Sequence, residues 1–205
     1  MARFRSTVMA AVISIVCSTA HAQELGKGAL LDALRAGGYV IVMRHASSPR
    51  TKPDAASAAA GNVDHERQLD EHGRETAKAM GEAIRRLGIP VGEVLSSPTF
   101  RAMQTARLLN LAAPTDVPEL GDGGQGMRED TEGTRSAWLR AKAAEPVPAR
   151  TNRLMITHVP NLNGAFGEAA DGMTDGESLI VKPDGGHAVV IARVKIDQWS
   201  SLAAD

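Results

Sequence analysis

The chain of 205 residues holds one cysteine, Cys17, inside an apolar N-terminal stretch. If that stretch is removed, no thiol remains. The mature chain then has no disulfide, no thiolate nucleophile and no cysteine-ligated metal. An excess of charge is also missing: 23 Lys and Arg stand against 24 Asp and Glu, a net charge of −1. Without Arg3 and Arg5 the balance is 21 basic to 24 acidic residues, or −3. Neither value gives an electrostatic case for nucleic acid or an anionic membrane surface as partner. Long apolar runs are lacking too. Val8 to Val16 is too short to be a stable membrane span. There are no internal repeats and no break in composition that would mark a second domain. With 43% hydrophobic residues, the chain can bury one good core.

What the N-terminus does have is an order of parts. Arg3 and Arg5 precede the apolar run, and Ala20-His21-Ala22 follows it. A basic region, a short apolar region and an A-x-A site predict a secretory signal peptide over residues 1–22. The domain then spans 23–205 and works in the periplasm or as a secreted protein. A lipoprotein signal would place a small residue before the cysteine, and Val16 stands there instead.

Further along, helical and strand patterns alternate. A helix is predicted over Leu25 to Ala36, stopped by Gly37-Gly38. Tyr39 to Met43 is a short continuous apolar run, as expected of a strand covered on both faces. Pro49 to Asn62, rich in Ala, Ser, Gly and Pro, reads as a mobile loop or flap, with a helical turn over its "AASAAA" as the alternative. Asp70 caps a helix running to about Leu87, with Ala77, Met80, Ala83, Ile84 and Leu87 on one side. Val91 to Leu95 is a strand, and Ser96-Ser97-Pro98 opens a helix to about Leu111. A short strand at Val117 to Leu120, a Gly-rich loop from Gly121 to Gly126, a helix from Thr131 to Ala144 and a strand from Leu154 to Thr157 follow. Leu179 to Val181 and Ala188 to Val194 flank Pro183-Asp184-Gly185-Gly186, a hairpin signal. The predicted class is α/β, a three-layer α/β/α sandwich with a mostly parallel sheet and an antiparallel edge hairpin.

In such a sheet, ligands bind beyond the carboxyl ends of the strands. Arg44-His45 follows the first strand, Ser96-Ser97-Pro98-Thr99-Phe100-Arg101 the second and His158 the third long one. Two histidines and two arginines therefore fall on one edge. An imidazole can attack phosphorus and carry a phosphoryl group. Guanidinium groups bind phosphoryl oxygens in pairs and stabilise their charge in the transition state. Arg101 falls in the first turn of its helix, where free N–H groups could face the same anion. A zinc site from His45 and His158 finds no third ligand of matching spacing. His65, His72 and His187 read as surface residues, and His21 leaves with the signal.

These residues resemble the histidine phosphatase superfamily, the phosphoglycerate-mutase-like family. Its Arg-His-Gly is matched by Arg44-His45-Ala46, and its "SSPxxRxxQTA" stands complete from Ser96 to Ala106. The strand ending in a second histidine is Met155-Ile156-Thr157-His158, and the "L-x-x-x-G-x-x-x-A" helix start runs from Leu69 to Ala77. The resemblance covers most of Tyr39 to Val194. It implies that His45 is the phosphorylated nucleophile, that Arg44, Arg101 and His158 hold the phosphoryl group, and that no metal or other cofactor takes part.

There are departures. Ala46 replaces the family's Gly, and its Asn shortly after the first motif has no match in Ser47 to Thr51. Many members carry a Leu-x-Glu whose carboxyl group protonates the leaving group. Leu120-Gly121-Asp122 is the nearest counterpart, so Asp122 is the first candidate acid and Glu129 the second; an ordinary solvated carboxylate is the alternative for each. The expected activity is an exported phosphomonoesterase acting on a small-molecule or glycan phosphoester: a sugar phosphate, a lipopolysaccharide phosphate or a nucleotide. A phosphomutase of the same fold and a non-catalytic phosphate-binding module are the alternatives. Protein phosphohistidine is a further substrate class, since its leaving group needs less help from an acid.

Overall fold

A computed structural model describes residues 26–53, 61–62, 65–122 and 133–202. The signal segment, with Cys17, and Glu129 lie outside the described residues.

The elements in chain order are α1 (Lys27–Ala36), β1 (Val40–Arg44), α2 (Glu71–Arg86), β2 (Val91–Ser96), α3 (Phe100–Leu109), β3 (Pro114–Asp116), α4 (Thr134–Ala144), β4 (Asn152–Thr157), α5 (Val159–Phe166), β5 (Ser178–Asp184) and β6 (His187–Val194). They build one six-stranded sheet in the order β3-β2-β4-β1-β5-β6. The first four in that order run parallel, while β5 pairs antiparallel with both β1 and β6.

The strands alternate their side chains between two cores. Ile41, Met43, Leu154, Ile156 and Ile180 face one side and meet α1, α2, α3 and the buried Trp199. Val40, Val42, Met155, Leu179 and Val181 face the other and meet α4 and α5. Helices cover both faces of the sheet, which is the expected three-layer α/β/α arrangement and explains why β1 reads as an unbroken apolar run. Its residues Val40 to Met43 are fully buried. Burying each such side chain contributes roughly 1.5–3 kcal/mol.

Local chemistry sets the boundaries. Asp70 caps α2 through its carboxylate, which accepts from Gly73 N–H at 2.7 Å. Gly73 itself is required by close packing: a Cβ there would press onto the Ser47 carbonyl oxygen. The β5–β6 connection narrows to Gly185-Gly186, both at positive φ (56° and 84°), as a two-residue hairpin needs. Pro183 sits beyond the last residue of β5 that pairs with β1, where its missing N–H breaks no ladder bond with that strand.

Three expectations need correction. The short strand is Pro114–Asp116, and Pro118–Leu120 is a 3₁₀ turn. Val117 N–H makes a last bond to Ser96 O, and Pro118, lacking an N–H, suits the first position of a helical turn. The helix after the second motif begins at Phe100 rather than Pro98 and stops at Leu109, where Asn110 turns left-handed at φ 49°. Helix α5, Val159–Phe166, was not assigned from the sequence; Pro160 stands in its first turn and Gly164 inside it. Gly164 is there because a side chain would strike Ser136 on α4.

Candidate active site

The central strands β2, β4 and β1 end side by side, and the three motif segments leave from those ends. His45 follows β1 directly, with its N–H bonded to Thr157 O at 3.2 Å. His158 follows β4 and stands at the start of α5. Arg101 lies in the first turn of α3. The rings of His45 and His158 meet edge to face with centroids 5.2 Å apart.

Hydrogen bonding fixes the state of His45. Its Nδ1 lies 2.8 Å from Ala46 O, an acceptor only, so Nδ1 carries the proton. Its Nε2 lies 3.1 Å from Arg101 Nε, a donor only, so Nε2 offers a lone pair. Burial pushes the imidazole well below its ordinary pKa, and the neighbouring His158, Arg101 and Arg44 push the same way, against the Ala46 carbonyl. His45 is therefore a neutral imidazole at neutral pH, with Nε2 directed at a guanidinium.

The same reasoning applies to His158. Arg101 Nη2 donates to its Nδ1 at 3.1 Å, so the proton of the neutral ring is on Nε2. That nitrogen lies 2.9 Å from Ser97 Oγ and 3.3 Å from Thr99 Oγ1. Burial lowers its pKa well below the ordinary value, and Arg101, Arg67 and Arg44 lower it further.

The rest of the second motif holds these parts in place. Thr105 Oγ1 accepts from Ala46 N–H at 3.2 Å and donates to Arg101 O at 2.8 Å. Gln104 Oε1 accepts from Leu69 N–H at 2.9 Å, joining α3 to the head of α2. Ser47 Oγ donates to the capping carboxylate of Asp70 at 2.7 Å. Burial pushes the Asp70 carboxyl up, but the bonds from Ser47 and Gly73 outweigh it and hold the group below its usual range. Ala46, in place of glycine, is accommodated without a positive φ, and its methyl packs with Leu69 and Ala77. The free N–H groups expected at the head of α3 are not all available: Phe100 N–H donates to Glu66 Oε2 at 2.8 Å.

The site opens into a cleft of about 730 Å³. Arg44, His45, Arg101, His158 and Asp122 all border it. Asp122 pairs with Arg101 Nη2 and stands 3.5 Å from His158 Nδ1. Its segment is anchored to the end of β4, where Thr157 Oγ1 donates to Leu120 O and Asn161 Nδ2 to Gly121 O. Arg44 donates to Met173 O at 2.9 Å and pairs with Asp175 at 2.6 Å.

Three cleft residues escaped the sequence reading: Arg50, Arg67 and Asp175. Arg67 is braced by the carbonyls of Pro49 and Ser48, at 2.6 and 2.8 Å. Its place just before the Leu69 motif was the signal available for it. The cleft thus holds four guanidinium groups, Arg44, Arg50, Arg67 and Arg101, against two carboxylates, Asp122 and Asp175. The excess of two positive charges matches one phosphoryl dianion. Among the described residues, no three His, Cys, Asp or Glu side chains gather as a metal site, and no helix is long and apolar enough to cross a membrane. His65 is half-buried, and His72 and His187 are exposed; none of the three borders the cleft.

The family model of the histidine phosphatase superfamily (branch 1) matches residues 40–175. The chain belongs to the histidine phosphatase superfamily. That span reaches from the start of β1 to Asp175 and contains both histidines and both motif arginines. Among solved structures, the histidine phosphatase fold of this chain is similar to the protein histidine phosphatase SixA complexed with tungstate, at TM-score 0.56 and 23% identity over 78% of this chain and 98% of that one. It is also similar to the putative phosphohistidine phosphatase SixA from Agrobacterium tumefaciens, at TM-score 0.52 and 16% identity over 77% and 97%. A phosphoserine phosphatase mutant from Entamoeba histolytica, in complex with phosphoserine, matches at TM-score 0.52 and 12% identity over 77% and 97%. At these identities the likeness is one of fold. No curated protein matches the chain.

Proposed function

We propose that this histidine phosphatase is an exported, metal-independent phosphomonoesterase that works through a phosphohistidine on His45. The observation that carries the reading is the lone pair of His45 Nε2, held by the proton on Nδ1 and aimed at Arg101. An entering phosphoryl group displaces the Arg101–Nε2 contact and takes Arg101, Arg44 and Arg67 as its charge partners. Nε2 attacks phosphorus as the ester P–O bond breaks on the opposite side. Displaced from Arg101 by the phosphoryl anion, Asp122 takes up a proton from solvent and passes it to the leaving oxygen; Glu129 does so if Asp122 does not serve. Water then attacks phosphorus, the P–N bond breaks, the water's proton passes to the carboxylate, and phosphate leaves with His45 neutral again. His158 donates to the transferring oxygens once its Nδ1 takes up a proton, which the phosphoryl charge favours as Arg101 Nη2 turns from Nδ1 to the substrate.

One observation favours a second substrate class. The Asp122 carboxylate is engaged with Arg101. A phosphohistidine substrate suits that arrangement: its P–N bond breaks to release an imidazole that already carries a proton on its other nitrogen.

The test is a substrate panel with the mature protein: an aryl phosphate, phosphoserine, sugar phosphates, a nucleotide and a phosphohistidine-bearing protein, each with and without chelator. Turnover that survives chelator, with an acid-labile phosphoenzyme absent in His45→Ala, supports the reading. Turnover lost to chelator and restored by zinc or magnesium defeats metal independence, and ordinary activity in His45→Ala defeats the whole mechanism. N-terminal sequencing of a periplasmic fraction tests export; an uncut chain in the cytosol counts against it.

A further inference from the structure

Both motif arginines carry a carboxylate partner, and only that of Arg101 lies near the segment that supplies an acid in this family. The partner of Arg44 is Asp175, 131 positions away in sequence. It stands on a turn built onto the backbone of the nucleophile. Gly176 N–H donates to His45 O, and Arg44 N–H donates to Glu177 O, each at 3.0 Å. Glu177 is buried and ties the turn together. Its Oε2 accepts from Thr174 N–H at 2.8 Å and Thr174 Oγ1 at 3.1 Å, while its Oε1 accepts from Arg193 Nε at 2.9 Å. Gly176, at φ 72°, lies against Ile196 and admits no side chain. The turn therefore has one shape. It presents one acceptor and one counter-charge to Arg44: Met173 O accepts from Nη1, and the Asp175 carboxylate pairs with Nη2 at 2.6 Å.

We propose that Asp175 is a positioning residue that fixes the guanidinium of Arg44 for the transferring phosphoryl group and, by its charge, keeps the ground state from binding phosphate too tightly. The proposal rests on the phosphohistidine reading. A hydrogen bond to one terminal nitrogen and an ion pair at the other restrict the rotation of a guanidinium more than either contact alone. A clamp of this kind matters most where the charge partner must be in place before the reaction begins. Asp175 also borders the cleft and is one-third exposed, 34% by side chain. Its negative charge therefore opposes any anion that Arg44 attracts. Orientation and attraction pull in different directions when this carboxylate is lost, which makes the role separable from plain structural support.

The experiment compares wild type, Asp175→Asn and Asp175→Glu by kcat on an aryl phosphate and by calorimetric binding of inorganic phosphate, with melting temperature as a control. In Asp175→Asn, kcat falls roughly ten- to a hundredfold from a misplaced guanidinium. Phosphate binds about two- to fivefold tighter, the scale of a partly exposed charge interaction. Asp175→Glu restores part of the lost turnover. Unchanged kcat and phosphate affinity would overturn the proposal. So would a parallel loss of turnover, phosphate affinity and melting temperature, which marks a residue that only supports the fold. A wild-type protein inert towards the whole substrate panel would defeat the proposed function instead, and the calorimetric comparison then decides Asp175 alone: tighter phosphate binding upholds its charge role, and unchanged or weaker binding overturns it.

Discussion

Replacing Arg101 by Ala removes the group on which the site converges. Its Nε touches His45 Nε2, and its Nη2 reaches both His158 Nδ1 and Asp122. The side chain is almost fully buried, at 3% exposure, so water does not take over its charge easily. In the reaction these nitrogens turn to phosphoryl oxygens. Two charged hydrogen bonds at about 1.5–3 kcal/mol each give a loss of roughly 3–6 kcal/mol in transition-state stabilisation. That corresponds to about 10²- to 10⁴-fold in kcat/KM. Arg101→Lys keeps a charge but not the planar fork, so it recovers only part of the loss. The fold stays, because the bond from Thr105 runs to the main-chain oxygen of Arg101. A second signature follows from His45. Arg101 is one of the causes that lower the His45 pKa, after burial and His158. Its removal therefore moves the acid limb of the kcat/KM profile to higher pH. The assay is initial rates on an aryl phosphate across pH, with circular dichroism to confirm folding. A folded Arg101→Ala within about fivefold of wild type, roughly 1 kcal/mol, refutes the phosphoryl-binding role.

Asp122→Asn slows alkyl phosphates far more than an aryl phosphate, whose phenolate leaves unprotonated; equal effects on the two, measured by steady-state kinetics, transfer the acid role to Glu129. Gly73→Ala forces a methyl onto the Ser47 carbonyl and destabilises the protein by roughly 1–3 kcal/mol, read by urea unfolding; an unchanged midpoint contradicts the close approach. Both cleft histidines have folded pKa values well below the unfolded value of about 6.5. The unfolded chain then binds more protons below that pH, so stability is fully present above about 6.5 and declines as pH falls through it. His158→Gln makes the decline shallower between pH 6.5 and 5, about one pKa range below the reference; an identical slope in thermal melts would count against the buried neutral ring.

The parts of this protein that were legible in the sequence share a physical cause. β1 and β4 show as unbroken apolar runs because both faces are covered, and the cation or imidazole after each run marks the strand's open end. Asp70 announced α2 because a cap needs an acceptor at one position only. β3 was misplaced because Val117 to Leu120 is apolar enough for a strand, while Pro118 forces a helical turn. α5 was hidden by residues chosen for contact: Gly164 for Ser136, and Asn161 for the Gly121 carbonyl. Arg67 is held by main-chain carbonyls, which carry no residue-specific signal. Asp175 meets Arg44 only because β5 returns beside β1, a juxtaposition that belongs to topology.

The strand that carries His45 is hydrogen-bonded on both sides, to β4 and β5, and buried on both faces. Its amides are sheltered from solvent exchange in every partly opened form that leaves the centre of the sheet intact. Loss of the histidine's alignment therefore requires the cooperative transition of the whole domain, and heat inactivation coincides with global melting instead of preceding it. The opposite wall of the cleft is held instead by side-chain bonds, those of Arg67 to Ser48 and Pro49, of Ser48 to Gln68 and of Glu66 to Phe100.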